Sequence, residues 1–327
     1  MSLFKNRYGE LRGGWAVAFA LAALNAAEFA AGILLSIYAV VRLVSSGRDI
    51  SESAVLELTG YPDLRFAGQF IAVLLTIGAS LLLFHLLYRQ SPARMGLTGL
   101  RAPHAAKDLL TGCALGIAAI SAAVGILLLF GGGRVTALRS EALKDPLFWL
   151  WLLLFACVAL NEELFARGLL MTALKTTRSK LAILLAPAAV FACMHLSNPG
   201  FGWRSAVNLF LVGLAFAGMF ARSGQLWLPI GFHLTWNFFQ GNIWGLQVSG
   251  LDTPSLLVTR FTGPAWLTGG DFGAEGGMAA TGVLLALLAV LWFAWPQRQD
   301  APWRFEGVLR RKKPGEELPA EAAQEGA

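Results

Sequence analysis

Long runs of apolar residues recur along the chain and are separated by short segments that hold most of its charged residues. A helix of about 20 apolar residues is long enough to cross the hydrocarbon core of a bilayer. By this measure the pattern predicts eight membrane-spanning helices, over residues 15–41, 66–88, 109–130, 147–174, 181–196, 206–221, 226–244 and 278–295. The first run is too long for the apolar part of a signal peptide, which favours a retained helix. We therefore predict an all-α fold, a polytopic transmembrane helix bundle.

The distribution of Lys and Arg predicts how this bundle is oriented. If the N-terminus is cytoplasmic, the cytoplasmic segments hold most of the 26 Lys and Arg, as the positive-inside rule expects. We expect a cytoplasmic N-tail over 1–14, a bundle over 15–297 and a cytoplasmic tail over 298–327. The last tail is charged and low in complexity, which favours disorder. The predicted location is the cell membrane, with both termini inside.

Composition supports a membrane protein and excludes one class of partner. Hydrophobic residues make up 56% of the chain and charged residues 14%, against about a quarter in soluble domains. The net charge of +6 follows from the bias in the cytoplasmic loops. Because no segment combines a basic patch with interleaved aromatic residues, nucleic acid is not expected as a partner. The expected partner from composition is the lipid bilayer.

Three acidic residues fall inside predicted spans, and they are the first candidates for function. They are Glu28, Glu162 and Glu163. A carboxylate at the centre of a bilayer costs about 2.5–3.5 kcal/mol on insertion scales, so each needs a reason. Arg167 follows Glu163 by four residues, a spacing that favours an ion pair on a helix, and that pair can equally be a structural lock. Glu162 has no cation at helical spacing, and the sequence suggests no partner for Glu28.

Two histidines and an asparagine lie in other predicted spans at a similar depth. His195 ends one span, and His233 is followed four residues later by Asn237, so these two share a helix face. Counting residues from the cytoplasmic ends places Glu162 and both histidines towards the middle of the bilayer. We therefore expect these four side chains to meet in one buried, water-accessible pocket.

Such a pocket favours hydrolysis by an activated water. A buried glutamate can take a proton from water, and Asn237 with a histidine can donate hydrogen bonds to the resulting oxyanion. A histidine can also protonate the leaving amine. Alternatively, Glu162, His195 and His233 can bind one divalent metal ion, such as zinc, with an open position. No HExxH motif is present, so the usual zinc-peptidase sequence signal is absent.

Three short motifs, in this order, resemble those of the CAAX prenyl protease and bacteriocin-processing family (CPBP, or Abi-like), whose members are intramembrane endopeptidases. The matching residues are Glu162, Glu163 and Arg167, then Phe191 and His195, then His233 and Asn237. The resemblance covers about residues 147–244, which it marks as a protease core.

The resemblance implies a role for each matching residue. It implies Glu162 as the base that activates water, with His195, His233 and Asn237 as catalytic partners. It implies Glu163 and Arg167 as supporting residues. A peptide or protein is then the expected substrate. The family is described both as metalloproteases and as metal-free enzymes, and both possibilities stay open, as does prenylation of the substrate. Asn237 favours the metal-free mechanism, because an amide suits an oxyanion better than a metal ion.

Two other functions fit the same apolar pattern. A non-catalytic member of the same fold can act as an immunity protein or as a scaffold. A proton-coupled transporter can use buried charges as a relay, but it predicts ionisable residues along a path through the membrane. Here the ionisable residues cluster, apart from Glu28. Intramembrane proteolysis is therefore the function that the sequence favours.

Overall fold

The chain folds into a bundle of α-helices, as its apolar pattern predicts. The computed structural model describes residues 3–6, 11–59 and 61–298. The tail predicted over 298–327 lies outside these residues from position 299 onwards, and so does part of the predicted N-tail. Helices suit an apolar chain in lipid because each satisfies its backbone hydrogen bonds internally.

Every predicted span overlaps a helix of the structure. The helices are α1 Gly13–Ser45, α2 Glu52–Thr59, α3 Pro62–Tyr88, α4 Ala105–Phe130, α5 Pro146–Glu163, α6 Met171–Leu174, α7 Lys180–Cys193, α8 Trp203–Ser223, α9 Trp227–Phe238, α10 Ala265–Thr268 and α11 Met278–Ala289.

Five helical stretches of the described chain are long and apolar enough to cross a membrane: Gly13–Ser45, Phe66–Tyr88, Ala105–Phe130, Pro146–Thr177 and Trp203–Ser223. Two more apolar stretches are shorter, Lys180–Cys193 and Met278–Ala294. The fold class is therefore that of a membrane helix bundle. The number of eight spans and the cytoplasmic position of the termini stay predictions.

Two helices change to π-helical geometry where the candidate polar residues lie. Helix α5 continues directly as a π-helix over Leu164–Leu170, and α9 continues as one over Phe239–Ile243. Such segments are rare, and they occur frequently at functional sites. Glu163 is the last residue before the first π segment, and Asn237 lies two residues before the second.

Helix α9, which carries His233 and Asn237, packs against α4 at backbone distance. A Cβ atom placed on Gly112 of α4 would lie 2.1 Å from the carbonyl oxygen of Leu228, and one on Gly116 would lie 2.4 Å from that of Phe232. From the other side, a Cβ on Gly231 would lie 2.3 Å from the carbonyl oxygen of Leu109. Small residues allow helices this close in membranes. The three glycines therefore fix the position of α9.

A short sheet and a folded loop lie between the helices in the chain, and neither is predicted by the apolar pattern. Strands β1 (Arg134–Leu138) and β2 (Leu257–Arg260) pair antiparallel, with Arg134 opposite Arg260 and an irregularity between Val135 and Ala137.

The loop over residues 244–277, which contains β2 and α10, packs closely onto itself. Gly273 has φ +94°, and a Cβ on it would lie 1.9 Å from the carbonyl oxygen of Gln247. Only glycine adopts this conformation without strain. The loop can therefore fold back towards the helices that carry the candidate site.

Candidate active site

Helix α5 presents its two adjacent acids in different directions. Its start is fixed by Asp145, whose side chain accepts a hydrogen bond from the backbone N–H of Leu147 at 2.9 Å, and by Pro146 in the first turn. Neighbouring residues on a helix point about 100° apart. Glu163 is accordingly fully buried, whereas the side chain of Glu162 is 16% exposed and lines a cavity.

Arg167 forms the buried ion pair with Glu163 that the spacing predicts. Its Nη1 atom lies 3.0 Å from Glu163 Oε1, and both side chains are fully buried. Its Nη2 atom donates to the carbonyl oxygen of Gly213 in α8 at 3.0 Å. The guanidinium lies between two aromatic rings, 4.8 Å from the centre of Phe191 and 4.9 Å from that of Phe216. These contacts tie the end of α5 to α7 and α8.

His233 of α9 lies between the two glutamates. Its Nδ1 atom is 3.1 Å from Glu163 Oε1, and because an ionised carboxylate only accepts, Nδ1 carries the hydrogen. Its Nε2 atom then faces Glu162 Oε2 at 3.8 Å, too far for a direct hydrogen bond. The ring stacks on Phe216, with centres 5.1 Å apart and planes 21° apart. Glu163 therefore sets the tautomer and orientation of His233, a contact that the sequence did not predict.

His195 lies in the turn that follows α7. Its Nδ1 atom is 2.9 Å from the carbonyl oxygen of Phe191, one helical turn earlier. A carbonyl oxygen accepts, so Nδ1 again carries the hydrogen and Nε2 is left for chemistry. Helix α7 ends at Cys193, and the chain then turns. The imidazole is thereby held at the end of the helix by its own backbone.

One cavity of ≈ 100 Å³ is lined by all four candidate residues, Glu162, His195, His233 and Asn237. Asn237 is 7% exposed, and it lies one helical turn after His233 on the same face of α9. Apolar side chains of α5 extend the lining away from Glu162: Trp151, Phe155 and Val158. The cavity can therefore present polar groups to a peptide bond while apolar surface contacts the adjoining side chains.

Glu275 also lines this cavity, and sequence reasoning missed it. It lies in the loop over 244–277, outside the spanning helices, and is 9% exposed. Its Oε2 atom accepts from the backbone N–H of Ser249 at 2.9 Å and from the Ser249 hydroxyl at 2.8 Å. Trp236 Nε1 donates to Oε1 at 3.3 Å. Burial raises the pKa of the Glu275 carboxyl, against the opposing effect of the Ser249 hydrogen bond and the charge of His195. The many glycines of this loop were the available signal in the sequence that it packs closely against the rest of the chain.

Glu28 stays apart from the cavity lining. Its side chain on α1 is exposed, and it is near enough to Glu162 for the two carboxyl groups to interact electrostatically. Within the described ranges it makes no hydrogen bond or ion pair. Among the residues that the structure describes, Glu28 therefore has no cationic partner.

The three residues that the sequence left open as metal ligands do not form a ligand set as they are arranged. Across residues 3–6, 11–59 and 61–298, no three His, Cys, Asp or Glu side chains form a group able to hold a metal ion. Glu162 approaches His233 to 3.8 Å, but His195 does not group with these two residues. The residues present do not fit a three-ligand site, so we derive no catalytic step through a metal.

Comparison with known proteins identifies the segment that contains this site. Residues 144–239 match a family model described as type II CAAX prenyl endopeptidase Rce1-like. The match includes the four candidate residues and Arg167, and it ends before Glu275. A search of curated proteins and a search of solved structures find no match to the chain. Residues 144–239 are therefore similar to the Rce1-like type II CAAX prenyl endopeptidases, and this match covers less than a third of the chain.

Proposed function

We propose that the chain is an intramembrane endopeptidase that hydrolyses a peptide bond with a water molecule activated by Glu162. The observation that carries this proposal is the shared cavity of Glu162, His195, His233 and Asn237. The similarity of residues 144–239 to a peptidase family model supports the reaction class. A peptide or protein is the substrate, and the surrounding lipid is the second partner.

The space between Glu162 and His233 suits the attacking water. The 3.8 Å between Oε2 and Nε2 is too long for a direct bond, but one water can donate a hydrogen to each atom over about 2.8 Å. The Oε2 atom is buried and has no hydrogen-bond partner among the described residues, so it can accept from this water. Glu163 keeps the hydrogen of His233 on Nδ1, which leaves Nε2 as an acceptor.

The reaction then follows from these positions. Glu162 takes a proton from the water as its oxygen bonds to the carbonyl carbon of the substrate. The carbonyl oxygen becomes an oxyanion, and the amide N–H of Asn237 donates to it. When the C–N bond breaks, the leaving nitrogen takes a proton from Nε2 of His195 in its protonated form. Transfer of the proton from Glu162 to His195 restores the site, and the net change is the addition of one water across one peptide bond.

The alternatives from the sequence have less support. A proton-coupled transporter needs ionisable groups along a path, but among the described residues the buried ionisable groups gather around one cavity. A non-catalytic scaffold needs no cavity with an acid, two imidazoles and an amide. Neither has a specific observation in its favour.

Substitution of Glu162 by Gln tests the proposal directly. The chain, reconstituted in liposomes, is assayed on a library of internally quenched peptides. We expect Glu162→Gln to lower turnover by about 10²–10⁴-fold, the usual effect of removing a general base. Glu141→Gln is the matched control, because Glu141 is exposed in the turn before α5 and does not line the cavity. Wild-type turnover in Glu162→Gln, with the control also active, would rule out Glu162 as the base.

A further inference from the structure

The two histidine-bearing segments of the cavity are connected through a buried carboxyl group. Trp236, one turn after His233 on α9, donates to Glu275 Oε1 at 3.3 Å. Ser249 donates twice to Oε2, from its backbone N–H and its hydroxyl. The carboxyl of Glu275 thus connects Trp236 of α9 to Ser249, which lies near the start of the loop that contains Glu275.

Ser249 is in turn hydrogen-bonded to the turn that carries His195. Its carbonyl oxygen accepts from Asn198 Nδ2 at 3.0 Å, and the backbone N–H of Asn198 donates to the carbonyl oxygen of His195 at 3.0 Å. Ser249 has φ +49°, in the left-handed region that non-glycine residues rarely adopt. Hydrogen bonds on both sides of this residue hold the unusual conformation.

The backbone of residue 275 is fixed as well. Asn208 of α8 donates from Nδ2 to the carbonyl oxygens of Glu275 and Gly277, at 2.6 and 2.9 Å, and accepts from Thr281 of α11 at 2.7 Å. The backbone at Glu275 is therefore held in place by α8. Its carboxyl group can then hold its two partners, Trp236 and Ser249, in position.

We propose that Glu275 is a positioning residue of the active site, which holds His195 and His233 at their mutual distance through Ser249, Asn198 and Trp236. The expected effect on kcat rests on the proposed peptidase function. The expected effect on the position of His195 does not depend on that function. The side chain makes no step of the reaction itself. A carboxyl group is required because its two oxygens accept from opposite sides.

Glutamine cannot replace this arrangement. In Glu275→Gln one oxygen becomes an NH₂ group, which must face either the N–H of Trp236 or the donors of Ser249. Either orientation leaves a buried donor opposite a donor. We expect a fall in kcat of about 10–100-fold with KM within about twofold of wild type, since a small misplacement of catalytic groups mainly affects the transition state.

The experiment has one readout that does not need activity. The full-length chain in liposomes is treated with diethyl pyrocarbonate, and mass spectrometry gives the rate of modification of His195 relative to exposed His85. We expect this ratio to rise several-fold in Glu275→Gln and less in Ser249→Ala, and Glu275→Asp to recover part of the loss in kcat. Asp271→Asn, an exposed acid of the same loop, is the control.

Each outcome is decisive for this residue. An unchanged His195 ratio together with an unchanged kcat in Glu275→Gln overturns the positioning role. If Glu275→Gln does not fold, an unchanged ratio in Ser249→Ala overturns it instead. If the wild-type chain has no peptidase activity, the proposed function fails, but the histidine ratio still decides whether Glu275 holds His195.

Discussion

The Nδ1 atom of His233 lies 3.1 Å from the Oε1 atom of Glu163, and both side chains are buried. The two residues are 70 positions apart in the chain, on α9 and at the end of α5. This contact gives Glu163 a second partner besides Arg167. The acid thus connects a structural ion pair to a histidine of the candidate site.

Substitution of Glu163 by Gln is expected to affect both stability and turnover. The neutral amide leaves the buried guanidinium of Arg167 without a countercharge, which costs about 3–5 kcal/mol when a buried pair is broken. The substitution also weakens the hydrogen bond between residue 163 and His233 Nδ1. Thermal unfolding in detergent and turnover of a peptide substrate should both fall, and wild-type values for both would contradict the paired role.

A second substitution separates the structural part of this effect from the catalytic part. Replacing Arg167 by Met in the Glu163→Gln background removes the uncompensated buried charge and keeps an apolar side chain between the two phenylalanine rings. We expect the double variant to recover most of the thermal stability, because apolar replacement of a buried pair is often neutral. Turnover should stay low. If turnover recovers with stability, the contact to His233 has no catalytic role.

The glycines of α4 should control how closely α9 approaches. Gly112→Leu places side-chain atoms where the backbone of Leu228 lies, since even a Cβ would be 2.1 Å from its carbonyl oxygen. We expect a loss of about 1–3 kcal/mol or more from overpacking, and reduced turnover because His233 moves with α9. Gly125→Leu on the same helix is the control, as a Cβ there has no neighbour within 4 Å. Equal stability of the two variants would contradict this packing.

Metal removal gives a further test of the proposed mechanism. Because the candidate ligands do not form a three-ligand set, we expect turnover within about twofold of the untreated chain after incubation with EDTA or phenanthroline. The control adds zinc or magnesium back to the treated sample. Loss of activity on chelation, with recovery on addition of one ion, would show that Glu162, His195 and His233 rearrange around a metal.

The sequence was sufficient for the long helices and for the main candidate residues. Each apolar run predicted as a span overlaps a helix, because backbone groups in lipid must be bonded within the segment, whereas the short helices α2 and α10 lie outside these runs. Sparse acids and histidines in these runs indicated Glu162, His195 and His233, since a polar group at such a position needs a function. The pair of Glu163 with Arg167 followed from helical spacing and is present at 3.0 Å.

The sequence was not sufficient for the π segments or the small sheet. The π-helix after Glu163 shifts the backbone hydrogen bonds by one residue, and that shift depends on the helices packed around it. The pairing of β1 with β2 joins strands more than 100 residues apart. A local pattern carries too little information about either.

What the sequence by itself determined is the position of the long apolar helices and the residue types that can hydrolyse a peptide bond, because length, hydropathy and spacing act within one segment. What only the tertiary structure decided is which groups meet. In the folded chain Glu163 contacts His233, and the four candidate side chains line one cavity. The glycine-rich loop places Glu275 in the lining of the same cavity. The physical reason is that these contacts join distant segments, and their distances depend on how the helices and the loop pack together.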